Sequence, residues 1–354
     1  MEIERTLPPG AAGAPGWVAA IFDREGIRRA WVTGRADLRA ERPLGLGSRL
    51  RWYSVTKLAT ATAAMRLVDE GALDPDAPVA ERLPWVAPTG PRGARPITAR
   101  HLLSHTAGLA DPSALRWVHP PGGARRSPAE LTRETFARHR RLRALPGTVG
   151  RYTNLGYLVL GELIAAAAGG LYARVLTDRV LAPAGLAGAR FDPAGAAVGH
   201  EALRSARAAA MAALFFPRTF GLVRYVRRGW VGLSAFELEG QAYGGLVGSL
   251  EDLVGLGCLH LRDGEGVLAG RTARAMREVH GAGPEGRFGL GFWILGDGWV
   301  GHGGEAGGYR AELALHPGRG VGVAVLANGG AARTDRVLEA LRRRATGGPM
   351  GPGE

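Results

Sequence analysis

The sequence predicts an α+β fold, in which an antiparallel sheet is built from both ends of the chain and flanked by helices. Strand-like segments stand near the start, at 17–23 and 27–33, around the turn signal Glu25-Gly26. Four more follow in the last third, at 288–295, 299–302, 309–316 and 320–326. Short glycine-rich turns separate those four, which favours antiparallel pairing. The long middle part carries helical patterns, so a mainly helical region is inserted into the sheet.

The domain layout follows from these patterns. Residues 1–16 are rich in glycine, alanine and proline and predict a flexible N-terminal lead-in. One domain is expected over 17–345, with its sheet part at about 17–53 and 285–345 and its helical part at about 54–284. The glycine- and proline-rich residues 346–354 predict a flexible tail.

Helices are expected at six places in this domain. Apolar residues recur at helical spacing between Leu58 and Val68, and Gly71 ends that helix. A short capped helix is expected over 98–108. An alanine-rich helix at 155–168 stops at Gly169, and another at 171–182 ends before Pro183. Two more helical segments follow, one running past Cys258 and one amphipathic segment around 337–341.

Composition excludes some classes of function. The net charge of +13 invites a nucleic-acid interpretation, but the arginines are scattered and no nucleic-acid motif accompanies them, so no such partner is expected. The single cysteine, Cys258, allows no intrachain disulfide. The N-terminus lacks the apolar core of a signal peptide, and no run approaches a membrane span. A cytoplasmic protein is therefore expected.

The stretch 199–236 is ambiguous. It combines Leu214-Phe215-Phe216 with basic residues at 224, 227 and 228. A buried helical face with arginines reaching solvent is the favoured interpretation. A substrate lid remains open, and so does a basic amphipathic patch at 214–230 that makes weak contact with an anionic membrane surface.

Lys57 is the only lysine among 45 basic residues; the other 44 are arginines. A guanidinium keeps its proton in proteins, whereas a desolvated ammonium can lose it. Lys57 stands three residues after Ser54, so on a helix the two side chains share one face. The pattern indicates a serine nucleophile with a lysine proton acceptor. An ordinary N-cap serine and a surface lysine are the alternatives.

Two further groups of residues are weaker candidates for a catalytic or metal-binding role. His101 and His105 stand four residues apart, a spacing that allows metal binding, but no third ligand is near in sequence and zinc is not expected. Ser104 has no lysine nearby and is interpreted as structural.

Three motifs together resemble one family. Ser54-Val55-Thr56-Lys57, Tyr152-Thr153-Asn154 and His302-Gly303-Gly304 occur in the order and approximate spacing of serine β-lactamases and penicillin-binding proteins. The sequence around these motifs resembles the class C-type branch, which includes family VIII carboxylesterases and D-aminopeptidase-like enzymes. The resemblance runs from about residue 17 to 330. It implies an α/β sandwich of β-lactamase type and no metal or cofactor.

The resemblance also implies roles. Ser54 would form an acyl-enzyme, and Lys57 would accept or relay its proton. Tyr152 would be the partner base and protonate the leaving group, while Asn154 would orient Lys57 and the substrate. The oxyanion hole would use the backbone N–H groups of Ser54 and Glu305. Whether Lys57 or Tyr152 is the acylation base stays open.

The third motif departs from the family. β-Lactamases usually place lysine, threonine and glycine where this chain has His302, Gly303 and Gly304, the last two lining the substrate. A histidine is largely neutral near pH 7 unless its pKa is raised, and Gly303 has no hydroxyl, so carboxylate recognition should be weak. His302 could instead donate a hydrogen bond to the substrate or help to protonate the leaving group.

These features favour a serine hydrolase that cleaves a small ester or amide, a carboxylesterase- or amidase-like enzyme with weak or no β-lactamase activity. One alternative is a β-lactamase or a D-alanyl or D-amino peptidase acting on β-lactam or peptidoglycan-type substrates. Another is a non-catalytic, membrane-associated binding relative. The sequence does not reveal the physiological substrate or the oligomeric state.

Overall fold

The computed structural model describes residues 2–4, 13–90, 94–120, 126–203 and 223–347. Its strands, in chain order, are β1 (Glu2–Glu4), β2 (Gly16–Asp23), β3 (Gly26–Asp37), β4 (Arg42–Pro43), β5 (Leu50–Arg51), β6 (Val118–His119), β7 (His200–Ala202), β8 (Val223–Arg227), β9 (Trp230–Leu233), β10 (Glu237–Leu238), β11 (Val247–Gly248), β12 (Gly281–Gly283), β13 (Gly286–Phe288), β14 (Trp293–Gly296), β15 (Trp299–Ala306), β16 (Tyr309–His316) and β17 (Val321–Ala327). Its α-helices are α1 (Thr56–Asp69), α2 (Ala99–Leu103), α3 (Pro128–Arg138), α4 (Asn154–Ala168), α5 (Tyr172–Leu176), α6 (Leu250–Leu261), α7 (Gly270–Ala275) and α8 (Thr334–Ala345).

One ten-stranded sheet joins the two ends of the chain, with the order β1-β3-β2-β17-β16-β15-β14-β13-β12 and β4 beside β3. The central pairing is antiparallel, between β2 and β17, with Ala20 opposite Ala324. The predicted α+β class and the assembly of the sheet from both chain ends are therefore confirmed.

The sheet carries helices on both faces. On one face, α6 packs on β2, β16 and β17, and Gly257 makes room there for the ring of Phe22. On the other face, α8 places Val337 and Leu341 against three tryptophans of the sheet, Trp17, Trp31 and Trp299. Burial of apolar surface on both faces stabilises this three-layer arrangement.

The N-terminal segment differs from the expected lead-in. Glu2–Glu4 forms β1, which runs parallel to β3 with Ile3 opposite Ala30. Residues 5–12 lie outside the described part of the chain, as do residues 348–354 of the expected tail. Composition alone did not indicate β1, because pairing with the open edge of β3 provides backbone hydrogen bonds that do not depend on side-chain type.

The helical region between the two halves of the sheet positions α1, α2 and α4 around a common centre. Thr98 caps α2 by accepting the N–H of His101, whose Nδ1 in turn accepts the N–H of Thr98. Thr153 caps α4, and Gly169 ends it in the left-handed conformation with φ +65°. The predicted stop at Gly169 thus marks a real helix end. The predicted helix at 171–182 is α5 followed by a π-helical turn over Thr177–Leu181.

The buried-helix interpretation of 199–236 is wrong for the described part, where β7, β9 and β8 form a small sheet. Arg227 and Arg228 pair with Glu41, and Arg224 lies 3.7 Å from Asp37. The order Arg224-Tyr225-Val226-Arg227 does not alternate strictly between polar and apolar residues, so its pattern did not indicate a strand. Of the proposed membrane-contacting stretch, 214–222 lies outside the described residues.

Within the described ranges, no single helix is long and apolar enough to cross a membrane. One bent pair, Asn154–Ala168 with Tyr172–Leu181, has the required length and composition but is bent by 78°. Nine residues of α4 are buried inside the protein, from Leu155 to Ile164.

Candidate active site

Ser54 lies in a short 3₁₀ turn, Tyr53–Val55, directly before α1. The preceding residue, Tyr53, has φ +43°, a region that non-glycine residues rarely occupy. Its hydroxyl donates to the carbonyl of Gly307 at 2.9 Å, in the turn between β15 and β16. The nucleophile candidate therefore stands on a strained turn that is fastened to the last strands of the sheet.

Lys57 is completely buried on the first turn of α1. Its Nζ lies 2.8 Å from Asn154 Oδ1, 2.7 Å from the carbonyl oxygen of Tyr243 and 3.1 Å from Ser54 Oγ. Burial holds the pKa of Lys57 well below its usual value, an effect that the negative charge of Asp111 partly opposes. Burial therefore favours the neutral amine form of Lys57 over the charged form.

The hydrogen bonds of a neutral amine fix the direction of the Ser54 contact. Such an amine has two N–H groups and one lone pair. Asn154 Oδ1 and the Tyr243 carbonyl are both acceptors, so they take the two N–H groups. When the amine is neutral, its lone pair is left for the third neighbour, Ser54 Oγ at 3.1 Å, and the hydroxyl can donate to it.

Tyr152 lies partly buried beside this pair. Its ring centroid lies 4.7 Å from Lys57 Nζ, and the ring stacks on Trp293 at 5.7 Å with an interplanar angle of 22°. Burial raises the pKa of Tyr152 above its usual value, although a hydrogen bond with Ser54 opposes the shift. The phenol therefore keeps its proton near neutral pH, and Tyr152 can give a proton to a group bound at Ser54.

Asn154 is the first residue of α4. Its backbone N–H donates to Asp111 Oδ1 at 2.7 Å, and its side-chain oxygen accepts the N–H of Lys57. The helix cap at Thr153 and the Asp111 carboxylate thus fix the amide that orients Lys57.

His302 lies on β15 and is 3% exposed. Its Nδ1 is 2.7 Å from the carbonyl of Gly303, which can only accept, so Nδ1 carries the ring proton. Burial lowers the pKa of His302 to about 3. The ring is neutral, and its Nε2 is a lone-pair acceptor, buried and without a partner among the described residues. His302 in this tautomer accepts a hydrogen bond from a ligand and does not donate one, which differs from the expected role.

The strand after His302 passes very close to Ser54. A Cβ placed on Gly304 would lie 2.1 Å from the carbonyl oxygen of Trp52 and 2.9 Å from the amide nitrogen of Ser54. A Cβ on Gly303 would lie 2.6 Å from a carboxylate oxygen of Glu312 on β16. Glycine is therefore required at Gly304 for the backbones of β15 and the Ser54 turn to meet. Glu305 follows directly, and its side chain turns away to pair with Arg310.

Sequence reasoning missed two residues of the site. His105 packs its ring 4.5 Å from that of Tyr152 and accepts the N–H of Thr153 through Nδ1 at 3.2 Å. Asp111 contacts Asn154 as described above. The sequence analysis had considered His105 with His101 only as metal ligands, and a metal was not expected there; His101 caps α2. No signal in the sequence pointed to Asp111. The residues that the structure describes contain no cluster of three or more potential metal ligands.

Comparison with known proteins identifies the family of this chain. The Beta-lactamase family matches residues 3–347. Penicillin-binding protein 4 of Amycolatopsis lactamdurans is 30% identical over 298 residues, which cover 79% of this chain and 72% of that protein. Esterase EstB of Burkholderia gladioli is 45% identical over 94 residues, which cover 25% of this chain and 24% of that protein.

A solved structure supports the fold. The octameric penicillin-binding protein homologue from Pyrococcus abyssi superimposes with a TM-score of 0.77 at 24% identity, covering 95% of this chain and 74% of that chain. At that identity the likeness concerns the fold alone. Over nearly its whole described length the chain therefore belongs to the β-lactamase family of serine hydrolases.

Proposed function

We propose that the protein hydrolyses a small ester or amide through an acyl-enzyme on Ser54, with Lys57 as the base of acylation. The observation that carries this proposal is the contact between Lys57 Nζ and Ser54 Oγ at 3.1 Å, made by a lysine that is completely buried. A base in that position removes the proton as Oγ attacks the carbonyl, and the C–O bond to the substrate forms. The raised pKa of Tyr152 supports an acid role for the phenol and not a base role.

The remaining steps follow from the same contacts. The oxyanion forms next to the backbone N–H groups of Ser54 and Glu305, each of which contributes about 10² to 10³ in rate if it donates to the oxygen. The proton taken by Lys57 passes through Tyr152 to the leaving oxygen or nitrogen as the bond to it breaks. Water then attacks the acyl carbon while Lys57 takes its proton. The bond between that carbon and Ser54 Oγ breaks, Lys57 returns the proton to Oγ, and the acid product leaves.

Weak β-lactam turnover is part of the proposal. A β-lactam carries a carboxylate that a cation must bind, but His302 is neutral and Gly303 has no hydroxyl. The similarity to esterase EstB supports an ester in preference to a β-lactam. Equal kcat/KM for nitrocefin and for a short aryl ester would contradict this specificity.

The test is the pre-steady-state hydrolysis of p-nitrophenyl butyrate by the wild type and by Ser54→Ala. A burst of about one equivalent of nitrophenol that is absent from the variant supports the acyl-enzyme. Mass spectrometry of the quenched wild-type reaction should place one butyryl group on the peptide that contains Ser54. Equal turnover by Ser54→Ala would remove Ser54 as the nucleophile.

A further inference from the structure

The two-residue turn between β15 and β16, Gly307-Gly308, is held from two sides. On one side, the hydroxyl of Tyr53 donates to the carbonyl of Gly307 at 2.9 Å. On the other side lies β7. The N–H of Gly308 donates to Glu201 Oε1 at 2.7 Å, and the carbonyl of Gly308 accepts the N–H of His200 at 3.1 Å. Two consecutive residues of β7 therefore bind both backbone groups of Gly308.

The strand that leads into this turn carries Glu305, whose N–H is proposed above as an oxyanion donor. Ala306 and Tyr309 flank the turn and face each other across the ladder, so they form the hydrogen-bonded pair. Because bonded and non-bonded pairs alternate in an antiparallel ladder, Glu305 and Arg310 do not exchange hydrogen bonds. The N–H of Glu305 therefore points away from β16, toward the edge of β15 beyond Gly301, where its pairing with β14 ends. The position of the turn determines where that N–H lies.

The carboxyl group of Glu201 is confined where it meets the turn. A Cβ added to Gly330 would lie 2.3 Å from its Oε1 and 2.6 Å from its Oε2, so the backbone at Gly330 passes close to both oxygens. Gly330 is itself fixed, because its N–H donates to the carbonyl of His200 and its carbonyl accepts Nε of Arg310. Burial raises the pKa of Glu201 above its usual value, and the hydrogen bond from Gly308 and the charge of Arg310 oppose that shift.

The strand β7 is in turn anchored to the large sheet. The N–H of His200 also donates to the carbonyl of Asn328, directly after β17, at 3.0 Å. The Nε2 atom of His200 lies 2.9 Å from the hydroxyl of Tyr225 on β8, and that hydroxyl donates to Asp37 Oδ1 at 3.0 Å. Contacts with β3, β8 and the end of β17 thus make β7 a fixed support for the turn.

We propose that Glu201 is a positioning residue of the active site, which holds Gly308 so that the N–H of Glu305 meets the oxyanion formed at Ser54. The inference rests on the acyl-enzyme function proposed above. A displacement of about 1 Å at a reacting group can cost about 10² in rate, so a hydrogen bond that fixes the turn affects catalysis. Glu201 acts through the turn and does not touch the substrate.

A purely structural role for Glu201 predicts a different result. If the carboxyl group only fastens β7 to its neighbours, Glu201→Ala lowers stability, but the folded enzyme keeps its kcat. If Glu201 positions the oxyanion donor, kcat falls and KM for a small ester stays nearly constant, because the donor acts on the transition state. Glu201→Gln keeps an oxygen that accepts the N–H of Gly308 and separates the hydrogen bond from the charge.

The experiment compares wild type, Glu201→Ala and Glu201→Gln with p-nitrophenyl butyrate, after circular dichroism has shown that each is folded. In Glu201→Ala we expect kcat to fall by about 10- to 100-fold and KM to change by less than about twofold. Glu201→Gln should recover most of kcat. If Glu201→Ala does not fold, Glu201→Asp replaces it, because the shorter side chain withdraws the acceptor from Gly308 and should lower kcat in the same way.

Phenylboronic acid gives a second readout, because it forms a tetrahedral anionic adduct with a serine oxygen and so resembles the transition state. Its inhibition constant should rise in Glu201→Ala by about the factor by which kcat/KM falls, and should return toward the wild-type value in Glu201→Gln. A weakened fold alone does not produce this parallel change in the folded enzyme.

The matched control is Asp69→Ala. Asp69 Oδ2 also accepts a backbone N–H from a distant segment, that of Ala269 at 2.7 Å, but at the far end of α1. This variant should lose stability and keep both kcat and KM.

Three results overturn the inference and leave the acyl-enzyme proposal intact: an unchanged kcat in a folded Glu201→Ala or Glu201→Asp variant, a change in KM alone, or a loss of kcat that Glu201→Gln does not restore. Absence of Ser54-dependent turnover in the wild type contradicts both proposals.

Discussion

The imidazole of His105 lies 4.5 Å from the phenol ring of Tyr152, while its Nδ1 accepts the N–H of the next residue, Thr153. One side chain thereby fixes both the ring of the proposed acid and the backbone that enters α4. His105 itself has φ +57°, so the chain turns sharply to bring the ring into this position. The relationship makes His105 a positioning residue for Tyr152.

Replacing His105 with phenylalanine should preserve the aromatic packing and remove the acceptor. The buried N–H of Thr153 then lacks a partner, and we expect the free energy of unfolding to fall by about 1–3 kcal/mol. We also expect kcat for p-nitrophenyl butyrate to fall more than KM changes, because Tyr152 is less well oriented. Urea unfolding and steady-state kinetics measure the two effects, with His139→Phe on a partly exposed site as control. An unaffected kcat would show that His105 does not position Tyr152.

Lys57→Arg should inactivate the enzyme although it keeps a basic side chain. A guanidinium stays protonated and has no lone pair for the Ser54 hydroxyl, so acylation loses its base. General bases contribute about 10² to 10⁴ in rate, and a decrease of that size in kcat/KM for p-nitrophenyl butyrate is expected. The reciprocal control, Arg66→Lys on the outer face of α1, should retain activity. An active Lys57→Arg variant would rule out a neutral amine as the base.

Gly304→Ala should separate the β15 backbone from the Ser54 turn. The added Cβ would overlap the carbonyl of Trp52, so the strand must move and the N–H groups of Ser54 and Glu305 no longer converge. We expect kcat to fall by at least about 10², the contribution of one oxyanion donor. Gly47→Ala is the matched control, because nothing lies within 4 Å of its added Cβ. Near-normal kcat in Gly304→Ala would mean that the oxyanion is held elsewhere.

Stability should decrease on acidification below pH 6.5. Burial lowers the pKa of His260 and of His302 to about 3, whereas both groups titrate near 6.5 in the unfolded chain. Between these values the unfolded state binds more protons, so the free energy of unfolding falls as the pH falls, by about 1.4 kcal/mol per pH unit for each group. Above pH 6.5 neither group contributes a slope.

His260→Leu tests this dependence away from the site. The hydroxyl of Thr62, which contacts His260 Nε2 at 3.0 Å, still donates to the carbonyl of Leu58, so no hydroxyl proton is orphaned. Urea midpoints between pH 3 and pH 7 should show a shallower slope than in the wild type. His316→Leu, at a partly exposed ring, serves as control. Parallel curves for wild type and His260→Leu would contradict a buried neutral imidazole.

The sequence predicted the parts of this protein that depend on local pattern. Strands β15, β16 and β17 follow from apolar segments between glycine-rich turns, and α1 and α4 from helical periodicity with stop glycines. The pairing of Ser54 with Lys57 follows from one turn of helix. The contacts of Lys57 with Asn154 and Tyr243 span 97 and 186 residues of chain, so no local pattern could reveal them.

The tautomer of His302 also could not be predicted from the sequence. It depends on which carbonyl lies beside Nδ1, and that carbonyl belongs to the adjacent Gly303 only in the particular backbone geometry of β15. For the same reason Asp111 and Glu285 were not predicted as neighbours. They come from segments 174 positions apart by sequence number and meet only after α2, α4 and the β12–β13 hairpin have packed.

The pairing of β2 with β17 also determines when, during synthesis on the ribosome, the central sheet can form. Residues 16–37 emerge early, yet the edge of β2 has no partner until residues 321–327 are synthesised. Loop closure over about 300 residues is entropically costly and slow. During translation the apolar hairpin of β2 and β3 therefore lacks its partner strand. Until β17 is synthesised, the hairpin is either prone to aggregation or bound by a chaperone. Because Gly304 and Glu305 lie on β15, Ser54 cannot gain its complete surroundings until residues 299–306 have also been synthesised.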